Sequence, residues 1–396
     1  MSHPIPLSLY IHIPWCVHKC PYCDFNSHAV NETLPEAAYV QALLADLALD
    51  AALLQGREIQ SIFMGGGTPS IFSPDSIKTL IQGVRARAPL AENCEITMEA
   101  NPGTVDNARF HGFREAGVNR LSLGIQSFHD VALDKLGRIH DAATAIRAIE
   151  SAKSAGFQNF NLDLMFGLPG QNLEAALEDL QTALSFSPPH LSWYQLTLEP
   201  NTAFYHQPPP ALPEDDVLWD IQLAGQQLLS DAGLHQYEIS AYSQVEKNCS
   251  HNLNYWLFGD YLGIGAGAHG KISLFSADDN APGLTQIYRY NRLRHPRQYL
   301  KSTPEQRIKR NPALKPEELP IEFMMNALRL SGGFQESLWQ MRTGQSLPMI
   351  APLLRENQAR GWLQWHNGMI QATPTGFQFL NELLESFIID DYAIFL

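Results

Sequence analysis

The stretch "YIHIPWCVHKCPYCDF", Tyr10 to Phe25, runs from a β-like segment straight into three cysteines spaced C-x3-C-x2-C. Three uses of Cys16, Cys20 and Cys23 compete. The inner Cys-Pro-Tyr-Cys has the spacing of a redox dithiol, but such a site needs only two thiols, the first activated at a helix start. It also normally belongs to a small βαβ domain, and Cys16 would be superfluous there. A structural zinc takes four protein ligands, and the fourth would have to be His12, His18 or His28, none of which has the paired spacing of a zinc ribbon or finger. The third use employs all three thiolates as soft ligands of an iron-sulfur cluster and leaves one iron open to substrate or cofactor.

The rest of the chain narrows the setting. The other cysteines are Cys94 and Cys249, so the total of 5 is odd and clustered, unlike a disulfide framework. The start "MSHPIPLSLY" lacks a basic region followed by an apolar run, and no segment has the length of a spanning helix; the expectation is a cytoplasmic protein with reduced thiols. Hydrophobic residues make up 45% and charged residues 17% of 396, enough for a large core and a smaller second one. A net charge of -14 disfavours a phosphate backbone as partner, so no nucleic acid is expected. The basic run "RYNRLRHPRQYLKS" reads as a solvated helix face.

Working outward, β-like runs alternate with helix-like ones: "LSLYIHI", "SIFMGG", "EITMEA", "RLSLGIQ", "FNLDLMF" and "LSWYQLTLE", separated by segments such as "EAAYVQALLADLALDAALLQG" and "NLEAALEDLQTALSF". Serial β-α units imply a parallel sheet with helices outside, an α/β barrel or incomplete barrel. On the first strand Leu7, Leu9, Ile11 and Ile13 form one phase, and Tyr10 and His12 the other. The later strands also carry a polar phase: Glu95, Thr97 and Glu99; Ser122, Gly124 and Gln126; Asn161 and Asp163; Gln195, Thr197 and Glu199. Those residues line either a polar lumen or a solvated face. Beyond a proline-rich loop and a helix at "DVLWDIQLAGQQLLSDAG" comes an irregular region with "HNLNYW" and "YLGIGAGAHG". The tail reads as helices, a hairpin turning at Asn367-Gly368 and a final helix, an order that resembles a winged-helix packing unit.

The cysteine spacing in its aromatic context, with the motifs that follow it, resembles the radical SAM superfamily, in its coproporphyrinogen III oxidase-like branch. The resemblance implies a partial (β/α)6 TIM-like barrel with a smaller, mainly helical C-terminal domain. We expect the barrel over 1–240, a connecting region over 241–290 and the C-terminal domain over 291–396. It implies a [4Fe-4S] cluster on Cys16, Cys20 and Cys23. The "GGGTPS" turn, with Gly66, Gly67 and Thr68, matches the segment that meets the methionyl amino group of S-adenosylmethionine. Glu99 in "EANPGT", Gln126 in "GIQSF", Arg138 in "LGRIH" and Asp163 in "NLDLMFGLPGQ" are implied around its methionyl and ribose parts, with Tyr10 and Tyr22 near its adenosine or cluster end. The chemistry implied is one-electron cleavage of a carbon-sulfur bond, giving methionine and a 5'-deoxyadenosyl radical.

Two departures separate the chain from the oxidases of that branch. Phe25 stands where they have a further cysteine, and only fifteen residues precede Cys16 where they have a longer extension. Both point to the branch's heme chaperones, which carry heme as cargo for recipient hemoproteins, possibly respiratory enzymes reached by transient membrane docking. "HNLNYW" is typical of that group. His251 is then the candidate iron ligand, Cys249 its rival, and Tyr255 and Trp256 flat contacts for the macrocycle. An oxygen-independent coproporphyrinogen III oxidase and a binding-only protein with a vestigial S-adenosylmethionine site remain the alternatives.

Overall fold

The computed structural model describes residues 5–30, 32–276 and 283–389. The expected β-α series forms as read. Strands β1 (Leu7–Ile13), β2 (Ile59–Gly66), β3 (Leu90–Ala100), β4 (Arg120–Gln126), β5 (Phe160–Phe166) and β6 (His190–Gln195) pair in parallel and in sequence order. The outer helices are α1 (Glu36–Leu49), α2 (Pro74–Arg85), α3 (Asn107–Ala116), α4 (Ala142–Ser154), α5 (Leu173–Ser185) and α6 (Asp215–Asp231). Side-chain caps start several of them: Ser73, Asp106, Asp141 and Asn172 each accept a backbone N–H of the first turn, replacing a partner the helix cannot supply. Leu7, Leu9, Ile11 and Ile13 are fully buried toward these helices, so the apolar phase of β1 is the barrel's outer core and its polar phase faces inward.

The last strand corrects the sequence reading. It stops at Gln195, so Thr197 and Glu199 lie in a loop where they hydrogen-bond each other at 2.9 Å. The expected irregular region is also largely strand. β7 (His235–Glu238) and β8 (Ala241–Ser243) extend one edge, with β8 antiparallel to β6. At the other edge β9 (Asp260–Ile264) joins β1 in parallel, and β10 (His269–Phe275), β11 (Leu284–Arg292) and β12 (Ile308–Ala313) follow antiparallel. The result is one open 12-stranded sheet. "HNLNYW" belongs to a short helix, α7 (Ser250–Trp256), packed against β2.

The basic run is a solvated helix face only in its second half, Pro296–Lys301, where Arg297 and Lys301 are exposed; its first half belongs to β11. Arg292 is fully buried at the end of β11 against Asp46 of α1 and Asp50 at that helix's C-terminal cap, and Arg307 reaches Asp46 at 3.3 Å. Arg289 pairs with Glu322 at 2.6 Å. These cations tie the added strands to the barrel. A second hydrophobic cluster gathers Phe323, Trp339, Leu354 and Ile370 with Phe258 from the turn after α7 and Ile287 from β11. Around it lie helices at Leu319–Ala327, Ser337–Thr343 and Ala351–Ala359, with a hairpin of Leu363–His366 and Met369–Ala372. Asn367 and Gly368 both have positive φ, 51° and 76°, as a two-residue hairpin turn of this type requires. The final helix forms at Leu380–Glu385, and residues 390–396 of the expected C-terminal domain lie outside the described residues.

Asp260 ties β9 to β10 and to the segment before β2. It is fully buried and receives Arg57 at 2.7 Å, Lys271 at 3.0 Å and the Ser273 hydroxyl at 2.8 Å. Burial alone would raise its carboxyl, but Lys271 and Arg57 overcome this and hold it below the usual value of 3.8. Its stabilisation is therefore present above that pH and lost as the pH falls through the depressed value. Asp260→Ala leaves two buried cations uncompensated and is expected to remove roughly 3–5 kcal/mol of stability in urea titrations at pH 7. The gap between wild type and variant should narrow only below pH 3.8.

Candidate functional site

The cysteine loop is built by backbone bonds on the end of β1. Trp15–Cys16 pairs in parallel with His28–Ala29, the Val30 N–H donates to the Cys16 carbonyl at 2.9 Å, and the Lys19 ammonium closes the loop on the carbonyls of Phe25 and Ser27. The glycine turn after β2 then locks to it: the Gly67 N–H donates to Ile13 O at 2.8 Å and the Thr68 N–H to Trp15 O at 2.7 Å. Side chains are excluded there. A Cβ on Gly67 would lie 2.5 Å from Trp15 O, and one on Gly66, whose φ is +106°, would lie 2.3 Å from the His12 ring.

Between loop, turn and barrel interior lies a cavity of about 410 Å3. The polar strand phase is its wall: Glu99, Ser122, Gly124, Gln126, Asn161 and Asp163 all line it. Of the sequence-predicted residues, Cys16, Cys20, Cys23, Tyr22, Gly66, Gly67, Thr68 and Arg138 meet there too. Arg138 crosses between the two groups, donating to Gly124 O at 2.7 Å and lying 3.7 Å from Cys20 Sγ and 3.5 Å from the Tyr22 hydroxyl. Gln126 has a left-handed φ of +72°, rare for a side-chain-bearing residue, and its amide oxygen accepts from the Tyr194 hydroxyl at 2.8 Å.

Burial dominates the electrostatics. It pushes Glu99 up to about 8, with Asp163 adding to the rise and the Gly66 N–H working against it. Asp163 is also raised by burial, while Ser122 and Asn161 donate to it at 3.0 and 2.7 Å. Burial likewise raises Cys16 and Cys23, opposed by the hydroxyls of Thr68 and Ser27. The donor set can hold an iron-sulfur cluster: three thiols face one cavity, with a cation against one of them. Among the described residues no group of three or more His, Cys, Asp or Glu side chains gathers closely enough to hold a single metal ion. His12 does not add a ligand, since its ring nitrogens meet the Tyr10 hydroxyl at 3.0 Å and Asn26 O at 2.9 Å.

Comparison with known proteins follows the same geometry. Residues 10–183 match the radical SAM superfamily, and residues 314–379 match the HemN C-terminal domain. The chain is 51% identical to the heme chaperone HemW of Escherichia coli strain K12, covering 97% of this chain and 99% of that one. The heme chaperone HemW of Bacillus subtilis strain 168 is 33% identical over 96% of this chain and 99% of its own. This chain belongs to the HemW family. Its fold is also that of the Escherichia coli coproporphyrinogen III oxidase HemN, with a TM-score of 0.80 at 23% identity, covering 97% and 91% of the two chains.

Tyr10, His251, Cys249 and Tyr255 of this HemW-family chain stand apart from the cavity, as do Glu95 and Thr97 of the polar phase. Tyr10 lies behind its wall, stacked on Phe63 at 6.4 Å. His251 is buried, with Nδ1 on the Ser61 hydroxyl at 3.0 Å and Nε2 on the Tyr255 hydroxyl at 2.9 Å. Burial, then Arg120, lowers it to about 3. Both nitrogens being engaged, the ring faces no cavity as an open ligand. Cys249 is equally enclosed, 3.7 Å from Glu95 Oε1, and burial raises it to about 11. The cavity also uses residues that the sequence reading missed, among them Arg120, His190, Tyr194 and Arg329. Period-2 phasing would have found three of these, since Arg120 is in phase with Ser122, and His190 and Tyr194 with Ser192. Arg329 comes from the chain after the sheet, stacked 4.4 Å over Trp256, and no local pattern marks it.

Gly66→Ala combines an unfavourable φ with overlap against the His12 ring. Its expected cost is at least about 1–3 kcal/mol in urea unfolding, together with reduced iron incorporation on anaerobic reconstitution. Retention of both properties would show that the turn tolerates a side chain.

Proposed function

We propose that the protein is a heme chaperone that keeps a [4Fe-4S] cluster on Cys16, Cys20 and Cys23, binds S-adenosylmethionine beside it and delivers heme to recipient hemoproteins. The observation that carries the reading is the single cavity joining three cysteine thiols to the polar barrel phase. The full-length likeness to proteins named heme chaperones supports its heme part. Among the described residues no helix is long and apolar enough to cross a membrane, so a membrane respiratory recipient would be reached by docking at its surface.

When bound, the cluster supplies one electron for cleaving a carbon-sulfur bond of S-adenosylmethionine. The chain's own residues bind and orient. Glu99, beside the Gly66–Thr68 turn, takes the methionyl ammonium; Arg138 and Gln126 take carboxylate and ribose oxygens; Asp163 accepts from ribose hydroxyls; Tyr22 closes the cluster side. Glu99 is the residue whose charge state must change. At about 8 it is mostly protonated at pH 7, and pairing with an ammonium favours its ionised form.

Calorimetry in buffers of different ionisation enthalpy should therefore show close to one proton released on S-adenosylmethionine binding at pH 7. Affinity should rise about tenfold per unit toward pH 8 and then level. Glu99→Gln should bind more weakly, with neither proton release nor pH slope.

The functional reading is tested by anaerobic reconstitution, expected to give about four irons per chain, followed by hemin titration and transfer to an apo-hemoprotein. Equimolar zinc in place of iron, or conversion of coproporphyrinogen III to protoporphyrinogen, would remove the chaperone assignment.

A further inference from the structure

A second cavity, of about 510 Å3, lies on the other side of the wall formed by Gly66 and Glu99. It differs in character from the polar chamber. Tyr10, Tyr255 and Tyr261 present aromatic surface, with Tyr255 and Tyr261 edge to face at 4.5 Å. Phe25, two residues beyond the last cluster cysteine, lines both cavities and is 58% exposed. At this site an exposed aromatic ring keeps apolar area in water that a flat ligand would cover.

Two polar groups at this cavity have no work inside the chain. The His269 imidazole, at the start of β10, makes no hydrogen bond or ion pair among the described residues and is exposed. The other candidate iron ligands nearby are all engaged. His12 is bonded at both nitrogens, the Tyr255 hydroxyl meets His251, and the Tyr261 hydroxyl accepts from Arg289 at 3.1 Å. Arg294 is the second. In the basic run, Arg289 pairs with Glu322, Arg292 with Asp46 and Asp50, and Arg297 with Glu32, while Arg294 lines the cavity and pairs with no carboxylate among the described residues.

An aromatic-lined cleft, a free imidazole and an unpaired guanidinium are what an iron porphyrin with carboxylate side arms requires. Resting on the chaperone reading above, we propose that the heme cargo sits in this second cavity, with His269 on the iron, Arg294 on a propionate and Phe25 and Tyr255 against the macrocycle. The cargo then lies beside the cluster chamber, separated from it by the shared wall of Gly66, Glu99 and Phe25, and His251 supports the cavity from behind by holding the Tyr255 hydroxyl.

The test is hemin titration into the full chain, read by the Soret band, stoichiometry and dissociation rate. Wild type should bind about one heme with an imidazole-type spectrum. His269→Ala should lose that spectrum, His269→Cys should replace it with a thiolate-type one, and the nearby surface variant His295→Ala should keep it. Arg294→Glu should weaken heme about tenfold while leaving heme dimethyl ester, whose propionates are blocked, unchanged. Wild-type spectra and affinity in both His269→Ala and Arg294→Glu would overturn this placement and leave the chaperone reading intact. Failure of wild type to bind heme at all would instead overturn that reading.

Discussion

The architecture of the site depends on two backbone strands coming closer than side chains permit. Gly67 and Thr68 donate to the carbonyls of Ile13 and Trp15, and there is no room for a Cβ at Gly66 or Gly67. That contact sets the position of the cysteine loop relative to the barrel, because the loop's first residues are the acceptors. It also brings the Gly66 N–H to Glu99 Oε2 at 3.2 Å, so one turn orients both the thiol wall and the acid wall of the cavity. A larger residue would push the loop off the barrel mouth and separate chemistry that depends on proximity.

The same crowding explains why acids persist in the barrel interior. Glu99 and Asp163 are buried together, and each is raised by that burial. Their hydrogen-bond partners are neutral groups: Ser122 and Asn161 for Asp163, one backbone N–H for Glu99. Arg120, itself buried and 4.0 Å from Glu95, and Arg138 at the opposite rim keep the chamber from being a purely anionic hole. An interior of this kind resists collapse because every wall residue needs a polar partner, and it favours a zwitterionic ligand that supplies the missing ones.

What the sequence made legible was local. Cysteine spacing, period-2 alternation and the Asn367-Gly368 turn follow from short-range geometry; the turn formed, and the alternation holds on β4 and β5 but fails past Gln195. What it hid depends on distant partners. The run around Arg292 looks solvated because its counterions, Asp46 and Asp50, lie some two hundred and forty residues away, on α1 and at its C-terminal cap. His251 looks free because Ser61, which takes its Nδ1, is 190 residues away. The glycine-rich "YLGIGAGAHG" lacks the side chains that advertise a strand, yet β9 forms because Asp260 finds Arg57 and Lys271 and because β1 offers an unpaired edge.

These long-range partners also decide what the edge strands are for. A barrel ending at β1 would expose that strand's backbone edge. β9 covers the edge, and β10 and β11 then carry His269 and Arg294 to the rim of the second cavity, opposite Phe25 from the cysteine loop. The strands that complete the sheet therefore create a chamber that a bare six-stranded barrel lacks. Because Gly66, Glu99 and Phe25 each face both chambers, the two cannot be shaped independently. A change in the wall's side chains alters volume on both sides, so the glycine that admits the cysteine loop also limits how close two ligands can approach.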